Sequence, residues 1–323
     1  MKIYTTRWPW QKEALAIATA VVVLALLPLV VTDAYWRHIL IMIFVYALVA
    51  SSWDLTLGYG GIFNFGHLAF FGIGLYGYGV LTTVFGIWPW FAFALAALAS
   101  CVAAALVSVP ILRLKGIYIV LVTFGFSQLI MQIVLSQSQL TGGTQGMIRI
   151  PMLPVGGHNF VRDGRIGSYY MALALLLAGI AALRFYVRSR FGLSLVALKD
   201  TEEYATSRGI SAAFQRVLAL SFSALLAGFA GAFYGAYART ASVDVFGMSF
   251  ATLILSMILL GGVGSTYGAV VAAFLLTVLS EFLHDAGAFR PMIIAILIIG
   301  VMLAFPGGLI GAGKAAIERI RRR

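Results

Sequence analysis

The feature that most constrains this chain is a series of apolar segments, each about long enough to cross a membrane as a helix. A membrane-spanning helix needs about 20 predominantly apolar residues. Ten such segments occupy residues 14–31, 39–57, 62–84, 90–112, 116–136, 168–187, 216–237, 248–263, 267–283 and 291–310. They are apolar on every face, whereas the strands of a membrane barrel alternate apolar and polar residues. We therefore expect an all-α polytopic membrane protein with about ten transmembrane helices in a single domain, residues 1–323.

Composition and charge agree with that expectation. The 323 residues are 62% hydrophobic and 10% charged, against about 25% charged in soluble proteins, which excludes a soluble enzyme. If the N-terminus lies in the cytoplasm, 16 of the 22 Lys and Arg residues fall in cytoplasmic segments. This positive-inside bias predicts that both termini are cytoplasmic. The net charge of +11 is then explained by the basic residues that orient the chain in the membrane, so we expect no nucleic-acid partner. Lys314 and the terminal arginines should anchor at anionic membrane lipid.

Two segments between the predicted spans are long enough to have a role of their own. The outer one, a predicted periplasmic loop at residues 137–167, carries Thr141 and Gln145 in a glycine-rich turn. Such a loop caps a pathway, contacts a partner, or is an ordinary connector. The inner one covers residues 188–215. Glycine-interrupted stretches at residues 58–79 and 261–268 also predict inverted repeats around a pathway near the membrane midplane.

Two motifs resemble nucleotide sites but lack their context. Residues 72–77 match G-x-G-x-x-G, yet no acidic residue occurs between Asp54 and Asp163, and the motif has meaning only between a strand and a helix. Residues 308–315 nearly match a P-loop but lack its Ser or Thr. We expect no cofactor in this chain. The glycines, including the small-xxx-small pairs Gly231/Gly235 and Gly264/Gly268, are expected at close helix contacts.

The densest polar stretch at membrane depth covers residues 51–67 and is rich in glycine. Glycines weaken a helix and expose backbone groups, which must find partners or line a cavity. A carboxylate at this depth should face protein or water rather than lipid. One interpretation is that the break lines a translocation pathway, with Asp54, Tyr59, Asn64 and His67 as candidates beside Thr141 and Gln145. The alternative is that Asp54 and His67 only satisfy the freed backbone groups.

The inner segment predicts a short cytoplasmic helix over residues 194–210. Leu195, Leu198, Glu202, Ala205 and Gly209 fall at helical spacing, and a glycine is a natural C-terminal stop. The helix would lie at the membrane interface or dock into a groove on another protein.

Five motifs occur in an order that is similar to a known family. They are G-Y-G-G-I-F-N-F-G-H, T-G-G-T-Q-G, A-L-K-D-T-E-E-Y-A-T-S-R-G-I, G-G-V-G-S-T-Y-G and F-P-G-G-L-I-G, between residues 38 and 311. Together they resemble the LivM-type permease of branched-chain amino acid ABC importers. The resemblance implies a ten-helix permease of the bacterial inner membrane with no covalent chemistry of its own. Its partners would be a homologous LivH-type permease, two cytoplasmic ATPases that hold ATP and magnesium, and a periplasmic substrate-binding protein.

By the same resemblance, the segment around residues 197–210 would be the coupling helix that receives ATPase motion. Its expected coupling residues are Leu198, Asp200, Glu202, Ala205 and Gly209. The chain departs from the common family pattern on the suspected pathway or at its outer mouth. Relatives often carry Asn at position 54, Gln and Ser at positions 62 and 64, and Asp or Asn at position 145.

Because of these departures, permeases for urea, short amides or other amino acids remain alternatives to branched-chain substrates. An ion-coupled secondary amino-acid transporter is a further alternative from a different class. Proton coupling usually needs a carboxylate within the membrane, and Asp54 is the clear candidate for it in this sequence.

Overall fold

The computed structural model describes residues 10–114, 116–154, 165–283, 289–304, 308–309 and 311. A helix lies in each of the ten apolar segments, so the all-α prediction is confirmed. The long helices are α1 (Trp10–Val30), α2 (Ala34–Asp54), α3 (His67–Thr83), α4 (Pro89–Ile111), α5 (Ile117–Ser136), α7 (Ile166–Arg188), α10 (Ala212–Ala238), α11 (Met248–Gly261), α12 (Thr266–Phe282) and α13 (Arg290–Ala304). The short helices are α6 (Ser138–Thr141), α8 (Arg190–Asp200) and α9 (Glu202–Ser207).

Among the described residues, five helical stretches are both long and apolar enough to cross a membrane: Ala34–Tyr59, Pro89–Ile111, Ile117–Ser136, Ile166–Arg188 and Ala212–Ala238. Shorter apolar helical stretches are Val21–Val30, Met248–Gly261, Thr266–Phe282 and Met292–Val301. The number of ten spans, the inverted repeats and the cytoplasmic position of the termini stay predictions. The basic residue Lys314 and residues 155–164 of the outer segment lie outside the described residues, as does most of the P-loop-like stretch.

Helix α2 forms the centre of the bundle and is buried along almost its whole length. Helices α7, α10, α11 and α12 pack around it, and α3 and α4 pack on the other side of α10. Glycines permit these close approaches. A Cβ on Gly74 would lie 2.2 Å from the carbonyl oxygen of Gly228, and one on Gly231 would lie 2.0 Å from that of Phe71. The packing role predicted for the membrane glycines is thus confirmed at these helix contacts.

The connections at the two ends of α10 differ. After its C-terminal end, strand β2 (Thr240–Ala241) pairs antiparallel with β1 (Met147–Ile148), which ties the outer segment to this end. Before its N-terminal end come α8 and α9, and the Arg216 guanidinium of α10 lies 2.9 Å from the Glu202 carboxylate of α9. The predicted outer and inner segments therefore lie at opposite ends of α10.

Two helix boundaries differ from the sequence prediction. The predicted single helix over residues 194–210 is wrong: α8 ends at Asp200, Thr201 is extended (φ −154°, ψ 93°), and α9 ends at Ser207. The turn at this β-branched residue redirects the chain so that Glu202 meets Arg216. The third apolar segment, predicted from residue 62, becomes an α-helix only at His67. The glycine-rich stretch before it holds the irregular backbone that forms the candidate site.

Candidate functional site

The predicted break in the helix after α2 begins as a π-helix, Leu55–Tyr59. Single π-turns within α-helices frequently occur at functional sites. A Cβ on Gly58 would lie 2.2 Å from both Asp54 Oδ1 and the backbone nitrogen of Gly264. Only glycine allows another backbone to approach this closely. The π-helix is therefore pressed against the loop at residues 262–265, which connects α11 to α12.

Asp54 joins these two segments. Its side chain is fully buried at the end of α2, and Oδ1 accepts a hydrogen bond from the Gly264 N–H at 2.8 Å. Five residues later, the Tyr59 hydroxyl lies 3.2 Å from the Thr266 hydroxyl at the start of α12. Asp54 thus satisfies a backbone N–H of the loop at residues 262–265. Both candidate residues hold the 262–266 region against the π-helix.

Lys199 of α8 completes the site and was missed as a site residue from the sequence. Its Nζ donates to the carbonyl oxygen of Gly58 at 2.5 Å. Its aliphatic stem passes Gly61, where an added Cβ would lie 2.9 Å from Lys199 Cγ. The available signal was the spacing of Lys199, four residues after Leu195, which is itself buried. We call the assembly of the π-helix, the loop at residues 262–265 and Lys199 the junction.

Two further pathway candidates lie close to the junction but make different contacts. His67 is fully buried and stacks on Trp53 with a centroid distance of 5.4 Å. Its Nε2 lies 3.0 Å from the Ser52 hydroxyl and its Nδ1 lies 3.4 Å from that of Ser223, which joins α2, α3 and α10. The Asn64 side chain accepts from the Gly66 N–H at 2.8 Å and so stabilises the local turn.

The remaining pathway candidates lie in the predicted outer segment, away from the junction. Thr141 is buried, and its hydroxyl donates to the Val134 carbonyl at 2.6 Å, which closes the turn after α5. Gln145 is exposed. The structure therefore brings Asp54 and Tyr59 together with one loop, whereas Thr141 and Gln145 belong to a different region.

The five predicted coupling residues divide by burial. Leu198 and Ala205 are buried and pack inward, Glu202 pairs with Arg216, and Asp200 and Gly209 are exposed. Gly209 has a φ of +84°, which favours glycine, and open space around it.

A more prominent surface on α9 was not predicted from the sequence. Tyr204 is 61% exposed, and the Arg208 guanidinium lies 5.3 Å from its ring centre and donates to its hydroxyl at 3.0 Å. Tyr204 of α9 and Arg208, the residue that directly follows the helix, thus form one exposed Tyr–Arg pair. Such residues are typical of energetically dominant interface contacts.

Comparison with known proteins decides the family. Residues 36–306 match the model described as "Branched-chain amino acid transport system / permease component". The chain belongs to this permease family. It is 28% identical over 290 residues to the high-affinity branched-chain amino acid transport system permease protein LivM of Salmonella typhimurium strain LT2, covering 83% of this chain and 68% of that protein. It is 27% identical over 287 residues to LivM of Escherichia coli strain K12, covering 82% and 68%.

No solved structure matches this permease at a significant level. The sequence-based identification of a LivM-type permease is confirmed by the family match and the two LivM relatives. The apolar helices and the family together make the chain a multi-pass membrane protein and a transport subunit. The contacts described above are therefore those of a transporter.

Proposed function

We propose that this permease is the membrane subunit of an ABC importer that carries leucine, isoleucine and valine across the bacterial inner membrane by ATP-driven alternating access. The family match and the names of the two LivM relatives support the substrate class. The observation that supports ATP-driven coupling is the position of α8 and α9. The exposed Tyr204–Arg208 pair lies at the end of α9. Lys199 of α8 contacts the π-helix at Leu55–Tyr59.

The importer would contain four kinds of partner beside this chain. A LivH-type permease would share the pathway, two cytoplasmic ATPases would hold ATP and magnesium, a periplasmic protein would deliver the substrate, and lipid would surround the helices. In this arrangement both termini, α8 and α9 lie in the cytoplasm. This chain would supply no nucleotide site and no cofactor.

A route for the motion follows from the contacts. Tyr204 of α9 and Arg208, which directly follows this helix, would contact an ATPase, because both are exposed. Movement of α9 would pull on α8, whose Lys199 is hydrogen bonded to the π-helix. The π-helix contacts the loop at residues 262–265 through Asp54. Closure of the ATPases would therefore alter the packing between α2, α11 and α12, with α2 at the bundle centre.

The experiment is reconstitution of the complete importer in lipid vesicles, with radiolabelled leucine uptake as the measurement. We expect uptake that requires ATP, both ATPase subunits and the binding protein. Leucine uptake that persists without ATP or the ATPases would overturn the proposal in favour of ion coupling. Uptake of urea or a short amide in place of leucine would retain the ABC mechanism and overturn the substrate.

The docking surface has a matched test on one helix. Tyr204→Ala with Arg208→Ala should lower recovery of the ATPases with the permeases and reduce leucine-stimulated ATP hydrolysis at least about tenfold, as for loss of a dominant interface contact. Ser207→Ala is the control, since its exposed hydroxyl bonds to the carbonyl of Tyr204 within the same helix. Normal recovery and normal hydrolysis in the double variant would remove α9 from the proposed route.

A further inference from the structure

A cavity lies at the end of α2 opposite to the junction. It has a volume of about 170 Å³, lies between α2, α11 and α12, and is open on one side. Ile39, Met42 and Leu253 form an apolar wall, while His38, Ser280 and Glu281 supply polar groups. The cavity is thus amphipathic, because aliphatic and ionisable side chains line the same space. Ligand sites of this kind combine an apolar lining with a few placed polar groups.

Opposite formal charges flank the polar part of the cavity. The Glu281 carboxylate accepts a hydrogen bond from the Tyr35 hydroxyl. The Arg165 guanidinium donates to the Ala34 carbonyl at 3.4 Å, one helical turn before His38. The Tyr237 hydroxyl lies 2.7 Å from His38 Nδ1. Glu281 and His38 line the same cavity. One anion and one cation are therefore held near the same ring.

We propose that this cavity binds a zwitterionic α-amino acid with an aliphatic side chain. The ammonium group would bind Glu281, the carboxylate would lie toward Arg165 and His38, and the side chain would contact Ile39, Met42 and Leu253. This inference rests on the proposed function and places a substrate position within this chain. It adds a site that the sequence did not predict, since none of the expected pathway residues lines it.

Size and chemistry discriminate among ligand classes. A protein cavity of about 150 Å³ can hold benzene, so 170 Å³ accommodates a branched four-carbon side chain with its charged groups at the polar side. Urea has no part that would gain from the aliphatic wall. A lipid acyl chain has no polar group that could bind Glu281 or His38, so it would use only the apolar wall.

The position fits a transporter because one helix connects the cavity to the junction. Ile39 and Met42 line the cavity, while Asp54 at the other end of α2 bonds to the 262–265 loop. Leu253 belongs to α11 and Glu281 to α12, the two helices which that loop connects. A change in packing at the junction would therefore reach the cavity through the three helices that line it.

The test is photolabelling of the complete importer, reconstituted in nanodiscs, with a diazirine analogue of leucine. We expect labelled peptides from residues 38–46 or 277–281, with labelling removed by excess leucine. Glu281→Gln should lower labelling about tenfold, the effect of losing a hydrogen bond to a charged group, and Glu281→Asp should restore part of it. Asp244→Asn is the matched control, because this exposed carboxylate lies outside the cavity.

A second variant protects the test from a folding defect. Leu253→Trp should fill the cavity and abolish labelling while the thermal midpoint of the complex stays unchanged. Labelling confined to other helices, or labelling that excess leucine does not displace, would overturn the inference. Leucine uptake by the unmodified importer is measured in parallel. Normal uptake with labelling elsewhere contradicts only the cavity site, whereas absent uptake contradicts the proposed function itself.

Discussion

The two ends of α2 are built in opposite ways. At the junction, an added Cβ on Gly58 would lie 2.2 Å from a neighbouring backbone atom, so no space is left. At the other end, α2 lines a cavity of about 170 Å³. Close packing transmits displacement because the interior is dense and resists compression, whereas an unfilled space can receive a ligand. One central helix thus has a tightly packed end suited to receiving motion and an open end suited to holding a small molecule.

The largest expected effect comes from adding bulk at each end. Gly58→Ala should lower the free energy of unfolding by about 3 kcal/mol or more, the upper range for overpacking, because its Cβ would meet Asp54 and Gly264. Leu253→Phe, in the cavity wall, should change it by less than about 1 kcal/mol. Thermal unfolding of the purified complex is the measurement, and Gly125→Ala, which meets nothing within 4 Å, is the control. Equal effects of the first two variants would contradict the contrast between the ends.

A smaller effect is expected from the lysine that links α8 to the junction. Lys199→Met removes the hydrogen bond to the Gly58 carbonyl but keeps the aliphatic stem. Loss of this hydrogen bond should lower the free energy of unfolding by about 1.5 kcal/mol, the lower end for a charged donor. It should also lower leucine uptake about tenfold. ATPase recovery should stay normal, since the Tyr204 surface is intact. Lys199→Arg, which retains a charged donor, should recover part of the uptake; no recovery would assign Lys199 a packing role alone.

The ion pair that attaches α9 to α10 should contribute less. Glu202 and Arg216 lie 2.9 Å apart but are 37% and 19% exposed, and exposed pairs contribute about 0–1 kcal/mol. A double-mutant cycle with Glu202→Gln and Arg216→Gln should give a coupling energy of about 0.5 kcal/mol. A value above about 2 kcal/mol would make α9, rather than Lys199, the main attachment of the cytoplasmic helices.

The smallest effect is expected from Asp54→Asn. The asparagine oxygen can still accept from the Gly264 N–H, so uptake should stay within about threefold, since a neutral hydrogen bond replaces a charged one. Asp54→Ala should be more harmful because it leaves that N–H without its acceptor. Leucine uptake is measured in two experiments, one energised by ATP and one by an imposed proton gradient. Loss of uptake in the asparagine variant would favour an ion-coupled role for the carboxylate.

The features that depend on local composition could be predicted from the sequence. The ten apolar segments became helices because their hydrophobicity extends over whole turns, and glycines such as Gly231 lie at close contacts because small residues let backbones approach. The break after Asp54 was also predicted, since glycines weaken helices. None of these features needs information about distant parts of the chain.

The contacts that define the junction and the cavity depend on tertiary approach and were not predicted. Lys199 and Gly58 are 141 residues apart, and Gly264 and Asp54 are 210 apart. Lysine was counted only as a positive charge, and its partner is a backbone carbonyl, which any residue could offer. The turn at Thr201 was missed because the helical spacing of its neighbours continues unbroken through it.

The π-helix at Leu55–Tyr59 also sets the rotational register of the chain that follows it. A π-turn accommodates about one more residue than an α-turn, and each residue of an α-helix advances the side-chain direction by about 100°. Deleting one residue from this stretch would let the α-helix continue and would rotate Tyr59 away from Thr266, its present partner. The one additional residue of the π-turn thus decides which face of the chain meets α12. No substitution could reproduce the effect of removing that residue.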